Sequence, residues 1–188
     1  AASDVYKRQL WDSKSFLQQK PEFFINVNVS AKQLERPDFC RVVLELLDKT
    51  EFPVRHLCLE ITERCRSLPV SVINERMAVL RGYGIKFAMD DFGTGSSSSA
   101  MALEMLIDEI KIDMSFIRKI LVNKKNKAIV QSMVDFANAA NIKSCLEGVE
   151  NKALEDYLRT VGATWFQGYY YSKPVGADEL EILLSAKK

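Results

Sequence analysis

Two adjacent carboxylates, Asp90 and Asp91, follow the apolar run Ile85-Lys86-Phe87-Ala88-Met89 and lead into Phe92-Gly93-Thr94-Gly95 and the serines Ser96 to Ser99. Carboxylates at the end of a strand, followed by glycines that free the backbone, suit a metal or phosphate site. Turn chemistry favours the same residue types, so the motif by itself leaves a plain structural turn equally open. Other strand-like runs shift that balance, because Asn28, Glu60, Asp113, Glu147 and Gln167 stand in the corresponding position at their ends. Lys111, two residues before Asp113, shares its face of the strand. Acids gathered at one mouth repel one another, and one lysine offsets too few of them; a bound divalent cation would do so. The ligands on offer are oxygens. The sole histidine, His56, opens a strand far from the expected mouth and the cysteines are scattered, so magnesium or manganese is expected in preference to zinc.

The elements that position these groups are legible from periodicity. Leu10 to Gln19 suits a helix, and Phe23 to Ser30 alternates as a strand with Ile25, Val27 and Val29 on one face and Asn26, Asn28 and Ser30 on the other. Pro37 begins a helix that carries Phe39, Val42, Val43, Leu46 and Leu47 in a core-facing stripe. His56 to Thr62 is the next strand, Pro69 to Gly82 the next helix, and Ile85 to Asp90 the next strand. A short helix over Met101 to Leu106 precedes the strand Glu109 to Asp113, and a helix over Lys127 to Ala140 precedes the strand Lys143 to Glu147. Asn151 caps a helix that Gly162 stops, the strand Ala163 to Gln167 follows, and Asp178 to Ala186 forms a final helix. Strand then helix, six times over, predicts an α/β fold of parallel strands with crossover helices, a TIM-like barrel. In such a barrel catalytic groups converge at the C-terminal strand ends. Residues 1–9 carry no usable periodicity and are read as an unstructured or foreign leader, with one domain over residues 10–188.

Composition narrows the partners. The chain has 188 residues, 47% of them hydrophobic and 27% charged, which supports one well-cored domain. With 26 basic and 25 acidic side chains the net charge is +1, so no global field draws DNA or an anionic membrane. The four cysteines lack CxxC spacing and fit a reducing, cytoplasmic setting. No apolar run reaches the ~20 residues of a membrane span, although a longer parent protein could still be tethered. Several tempting features read as structural: Trp165 with Tyr169 to Tyr171 as core and rim aromatics, Lys124-Lys125-Asn126-Lys127 as a solvated helix start, and His56 as a packing residue. Gly93-Thr94-Gly95 is too short for a dinucleotide fingerprint.

With these residues in place, the chain resembles the EAL-domain family, bacterial phosphodiesterases that hydrolyse cyclic di-GMP. The resemblance runs from about Phe24 to the end. It rests on Asn26-Val27-Asn28-Val29-Ser30-Ala31, Glu60-Ile61-Thr62-Glu63, Asp90 to Gly95, Lys111-Ile112-Asp113, Glu147-Gly148-Val149-Glu150, Gln167-Gly168-Tyr169 and Ser172-Lys173-Pro174, in the family's order. It implies a barrel of the EAL type and hydrolysis to linear pGpG with two Mg2+ or Mn2+ ions. Asn28, Glu60, Asp90 and Asp91 would ligate metal, with Asp113 completing or supporting the site. Lys111 would orient or activate the attacking water, and Glu147 and Gln167 would complete the water and metal shell. Glu63 would anchor the loop from Asp91 to Ser99, and Glu150 would support the Glu147 loop. A homodimer and an upstream sensory or cyclase domain are implied partners of the intact protein, in signal transduction in the cytoplasm; no residue is assigned to substrate binding.

Two departures from the family pattern accompany this. The namesake Glu-Ala-Leu is absent, and six strands fall short of a barrel that typically takes ~250 residues, so an incomplete barrel lacking its first strands, with an open seam, is expected. Ser96 and Ser99 replace an aromatic and a leucine, which should loosen the loop beside Asp91. Two other readings stay open: a catalytically impaired domain acting as a cyclic di-GMP receptor, and a lyase or aldolase using Lys111 as a Schiff base.

Overall fold

The alternation of apolar and polar residues acquires its physical reason in a computed structural model of the chain, which describes residues 23–62, 69–95, 98–176, 179–180 and 182–183. Six strands, β1 (Ile25–Val29), β2 (Leu57–Thr62), β3 (Lys86–Phe92), β4 (Glu109–Ile112), β5 (Lys143–Glu147) and β6 (Trp165–Gln167), form one sheet in chain order. Every neighbouring pair is parallel. The sheet curls until the rings of Phe24, just before β1, and Trp165, opening β6, meet edge to face at 5.1 Å. The result is a TIM-like arrangement of six strand units, as the sequence predicts, with helices on the outside.

Parallel strands need crossovers, and the helical stripes supply them. The described helices of these connections are α1 (Ala31–Glu35), α2 (Phe39–Thr50), α3 (Val70–Gly82), α4 (Ser98–Glu104), α5 (Met114–Ile117), α6 (Lys124–Ala139) and α7 (Lys152–Arg159). Leu59 and Ile61 of β2, Phe87 and Met89 of β3, Ile110 and Ile112 of β4 and Leu146 of β5 are buried in one core with Ile73, Met77 and Leu80 of α3 and Val130, Val134 and Ala137 of α6. The opposite faces of the same strands, Glu60, Ala88, Lys111, Cys145 and Glu147, turn into the barrel. Helix entries follow local chemistry: Asn123 accepts from the Lys125 and Asn126 amides at the start of α6, and Asn151 accepts from Leu154 N at 2.9 Å at the start of α7.

Several boundaries differ from the sequence expectation. Helix α2 starts at Phe39, since Pro37 lies in a turn that the Arg36–Asp38 ion pair braces at 2.9 Å. The helix expected over Met101 to Leu106 is α4, beginning at Ser98. Among the described residues two short α-helices and the 3-10 turn Val54–His56 have no counterpart in the sequence expectation, and β2 begins at Leu57, one residue after His56. Helix α1 is announced by Ser30 and Gln33, which form a capping box, whereas α5 is a single turn, too short to show a stripe. The expected helix at Leu10 to Gln19 lies outside the described residues, as does most of that at Asp178 to Ala186. His56 is structural, as expected: it is buried, accepts from Arg55 Nε at 3.0 Å and contacts the Phe23 carbonyl through Nδ1, tying the approach to β1 to the start of β2. Cys58 and Cys145 are buried free thiols whose pKa burial pushes up, which makes them unreactive.

Candidate active site

The paired carboxylates sit on a β-bulge. Met89 pairs with Ile110 and Phe92 with Ile112, so Asp90 and Asp91 together oppose the single residue Lys111. A bulge of this kind bends the strand and re-aims side chains. Asp91 carries the inserted geometry with φ at 56°, a left-handed conformation that is costly for a residue with a Cβ and concentrates at functional sites. Beyond it the parity of the strand has changed: Phe92 turns outward into the core and stacks on Phe136 at 6.0 Å. The strand therefore runs to Phe92, past the end at Asp90 that alternation predicts, because periodicity carries no signal for an inserted residue.

Lys111 is the hub. Its Nζ lies 2.7 Å from Glu60 Oε1, 2.8 Å from Glu147 Oε1 and 3.4 Å from Asp90 Oδ1, gathering carboxylates from three other strands. Its side chain is only 6% exposed. Burial alone would push its pKa down, but hydrogen bonds to Glu147 and Glu60 outweigh burial and raise it above the ordinary lysine range. Lys111 is thus an ammonium. Schiff-base chemistry needs the neutral amine, so this geometry opposes the lyase or aldolase reading.

The remaining predicted residues that are described stand at or just beyond the ends of the strands. Asn28 is the register partner of Glu60 at the end of β1, and Gln167 the partner of Glu147 at the end of β6; both are exposed. Glu147 and Gln167 are held together through main chain: Val149 N donates to Gln167 O, and Tyr170 N donates to Val149 O, each at 3.0 Å. Glycine is required at two places here. A Cβ at Gly168 would lie 2.1 Å from Val149 O, and one at Gly148, whose φ is 77°, would lie 2.6 Å from Met114 Cβ of α5. Glu150 is exposed on this loop. Asp113 caps α5, with Oδ1 accepting from Ser115 N at 2.9 Å. Glu63 lies outside the described residues, as does Ser96.

Two further inward residues emerge one period below the predicted set. Glu109, 3% exposed, stands two residues before Lys111, and Asn26 two before Asn28. Both line a cavity of about 420 Å³ walled by Phe24, Trp165 and Tyr171 and reaching Gln167. Burial raises the Glu109 carboxyl to about 7, with Lys111 opposing and Glu60 and Glu147 reinforcing the rise. The period-two pattern that contains Asn28 and Lys111 contains both residues, but they stand near the starts of their strands and not at the ends.

The donor set suits a hard divalent cation. Glu60, Asp90 and Glu147 present oxygen only, and three carboxylates face one ammonium. Among the described residues no three His, Cys, Asp or Glu side chains already converge tightly enough to hold a metal ion, and Lys111 stands between Glu60, Asp90 and Glu147. By chemistry the residues fit such an ion.

A family model of the EAL domain matches residues 5–174. The chain belongs to the EAL-domain family. Among curated relatives, the cyclic di-GMP phosphodiesterase PdeA of Borreliella burgdorferi is 32% identical over 90% of this chain and 25% of its own length. Among solved structures, the EAL domain of Mycobacterium smegmatis DcpA is 27% identical with a TM-score of 0.88, covering 97% of this chain and 81% of that one. Klebsiella pneumoniae BlrP1, solved as a manganese and cyclic di-GMP complex, is 27% identical with a TM-score of 0.75 over 94% of this chain and 47% of its own. The chain thus spans about a quarter of the length of the first curated relatives it matches. Among the described residues no helix of this EAL domain is long and apolar enough to cross a membrane.

Proposed function

We propose that this EAL domain hydrolyses cyclic di-GMP to linear pGpG with Mg2+ or Mn2+. The observation that carries the reading is the buried Lys111 ammonium ringed by Glu60, Asp90 and Glu147 at the strand ends of an EAL barrel. The manganese and cyclic di-GMP complex of a structural neighbour supports the same choice of ligand and ion. Asn28, Glu60, Asp90 and Asp91 would hold two cations, with Asp113 supporting them from its capping position. When bound, divalent cations supply Lewis acidity to the phosphodiester oxygens. A water oxygen bonds to phosphorus as one ester P–O bond breaks; the water gives up one proton and the leaving alkoxide takes one up, so that OH ends on phosphorus and H on the alcohol. Lys111, locked as an ammonium, keeps Glu60 and Glu147 in place and offsets phosphate charge; it orients water and does not deprotonate it. Glu147 and Gln167, fixed relative to each other by the Val149 main chain, shape the water shell.

The test is conversion of cyclic di-GMP to pGpG by the chain with Mn2+ or Mg2+, beside its Asp90→Asn variant. We expect turnover that needs the ion and falls more than about 100-fold in the variant, the scale on which metal-site substitutions act. Dinucleotide binding without turnover would favour the receptor reading instead.

A further inference from the structure

Asn26 projects from the inward face of β1 and crosses to β2, where its Nδ2 donates to Glu60 Oε1 at 2.6 Å. The same oxygen takes the Lys111 ammonium at 2.7 Å. Donors from β1 and β4 therefore converge on one oxygen of a side chain on β2, which fixes the plane of the carboxylate. The amide cannot be turned over, since that would set Asn26 Oδ1 against Glu60 Oε1, acceptor on acceptor. Held this way, Asn26 Oδ1 is buried without a hydrogen-bond partner among the described residues. An unmade buried hydrogen bond is a cost that an apolar residue of the same size would avoid, and such orphans call for an explanation. The bond to Glu60 provides one.

We propose that Asn26 is a positioning residue: with Lys111 it engages Glu60 Oε1, orients the carboxylate, and thereby reserves Oε2 for a divalent cation. This rests on the cation reading above. A buried carboxylate swinging between rotamers would present its oxygens to the ion only part of the time, so a partner that holds one oxygen raises affinity through the other. Residues that orient metal ligands in this manner typically change affinity 10–100-fold when removed.

The experiment uses the chain with Asn26→Leu, which fills the space and deletes both the donor and the orphaned carbonyl, and with Asn26→Ala. Three readouts separate orientation from packing: the melting temperature, metal-free crystal structures of wild type and variants, and Mn2+ titration followed by electron paramagnetic resonance. Expected in Asn26→Leu are a melting temperature at or above that of wild type, a Glu60 carboxylate rotated away from its wild-type plane, and Mn2+ binding weakened about 10-fold or more. A Glu60 that keeps its plane in both variants would overturn the proposal, as would a rotated Glu60 with unchanged Mn2+ affinity. If wild type itself binds no Mn2+, the cation reading fails and the reserved role of Oε2 falls with it; the metal-free structures then report separately whether Asn26 sets the carboxylate plane.

Discussion

At the scale of single residues, the candidate site is organised by one cation among acids. Lys111 would be expensive to bury alone, and so would each carboxylate; the ammonium offsets part of the charge of Glu60, Asp90 and Glu147, and its removal would leave all three carboxylates facing one another uncompensated. Glu109 lies deeper in the same barrel and its raised pKa has a stability consequence. Between its ordinary value of 4.5 and about 7, the folded protein keeps a proton on Glu109 that the unfolded chain has already released. The contribution of Glu109 to stability therefore falls as pH rises through that window and is level above it. Replacing Glu109 by Gln should remove this slope and, above the window, stabilise the variant over wild type by on the order of 3 kcal/mol. Denaturant melts of both proteins at several pH values across the window check this; parallel curves would show that Glu109 does not titrate there. At this scale the strand-end acids and Lys111 were visible in the sequence as period-two partners. The roles of Asn26 and Glu109 were not, because a polar residue on an inward face can equally line water or pack.

At the scale of elements, two features set the site geometry: the bulge in β3 and the loop after β5. The bulge brings Asp90 and Asp91 opposite Lys111 and returns Phe92 to the core. The loop after β5 is threaded against β6 so closely that Gly168 has no room for a side chain. Gly168→Ala must push the Val149 main chain away, so it should destabilise the fold by about 1–3 kcal/mol, the usual range for overpacking. It should also impair any turnover by separating Glu147 from Gln167. Thermal melting together with the cyclic di-GMP assay tests this, and a variant with wild-type melting would refute the tight approach. The strands and the longer helices were legible because each buries a repeating face. The bulge and α5 were not, since one inserted residue or one helical turn leaves no period to detect.

At the scale of the whole molecule, the curl of six parallel strands brings the two ends of the sheet within reach, and Phe24 and Trp165 touch there without pairing of β1 and β6 among the described residues. An edge-to-face pair of this kind contributes about 0.5–1.5 kcal/mol beyond the area it buries. A double-mutant cycle with Phe24→Leu and Trp165→Leu, measured by denaturant unfolding, should return a coupling energy in that range; additive effects would mean that the rings do not hold the seam. By itself the amino-acid sequence determined the parallel strand-helix order, which face of each strand is apolar, and hence that Glu60, Asp90, Lys111 and Glu147 share one interior, because side-chain alternation is a local property of the backbone. Only the tertiary structure decided which of them touch. That Lys111 is held as an ammonium by Glu60 and Glu147, that Asn26 completes the grip on Glu60, and that Glu109 carries a raised pKa depend on strand register, curl and burial, and these arise from packing between residues 30 or more positions apart in the chain.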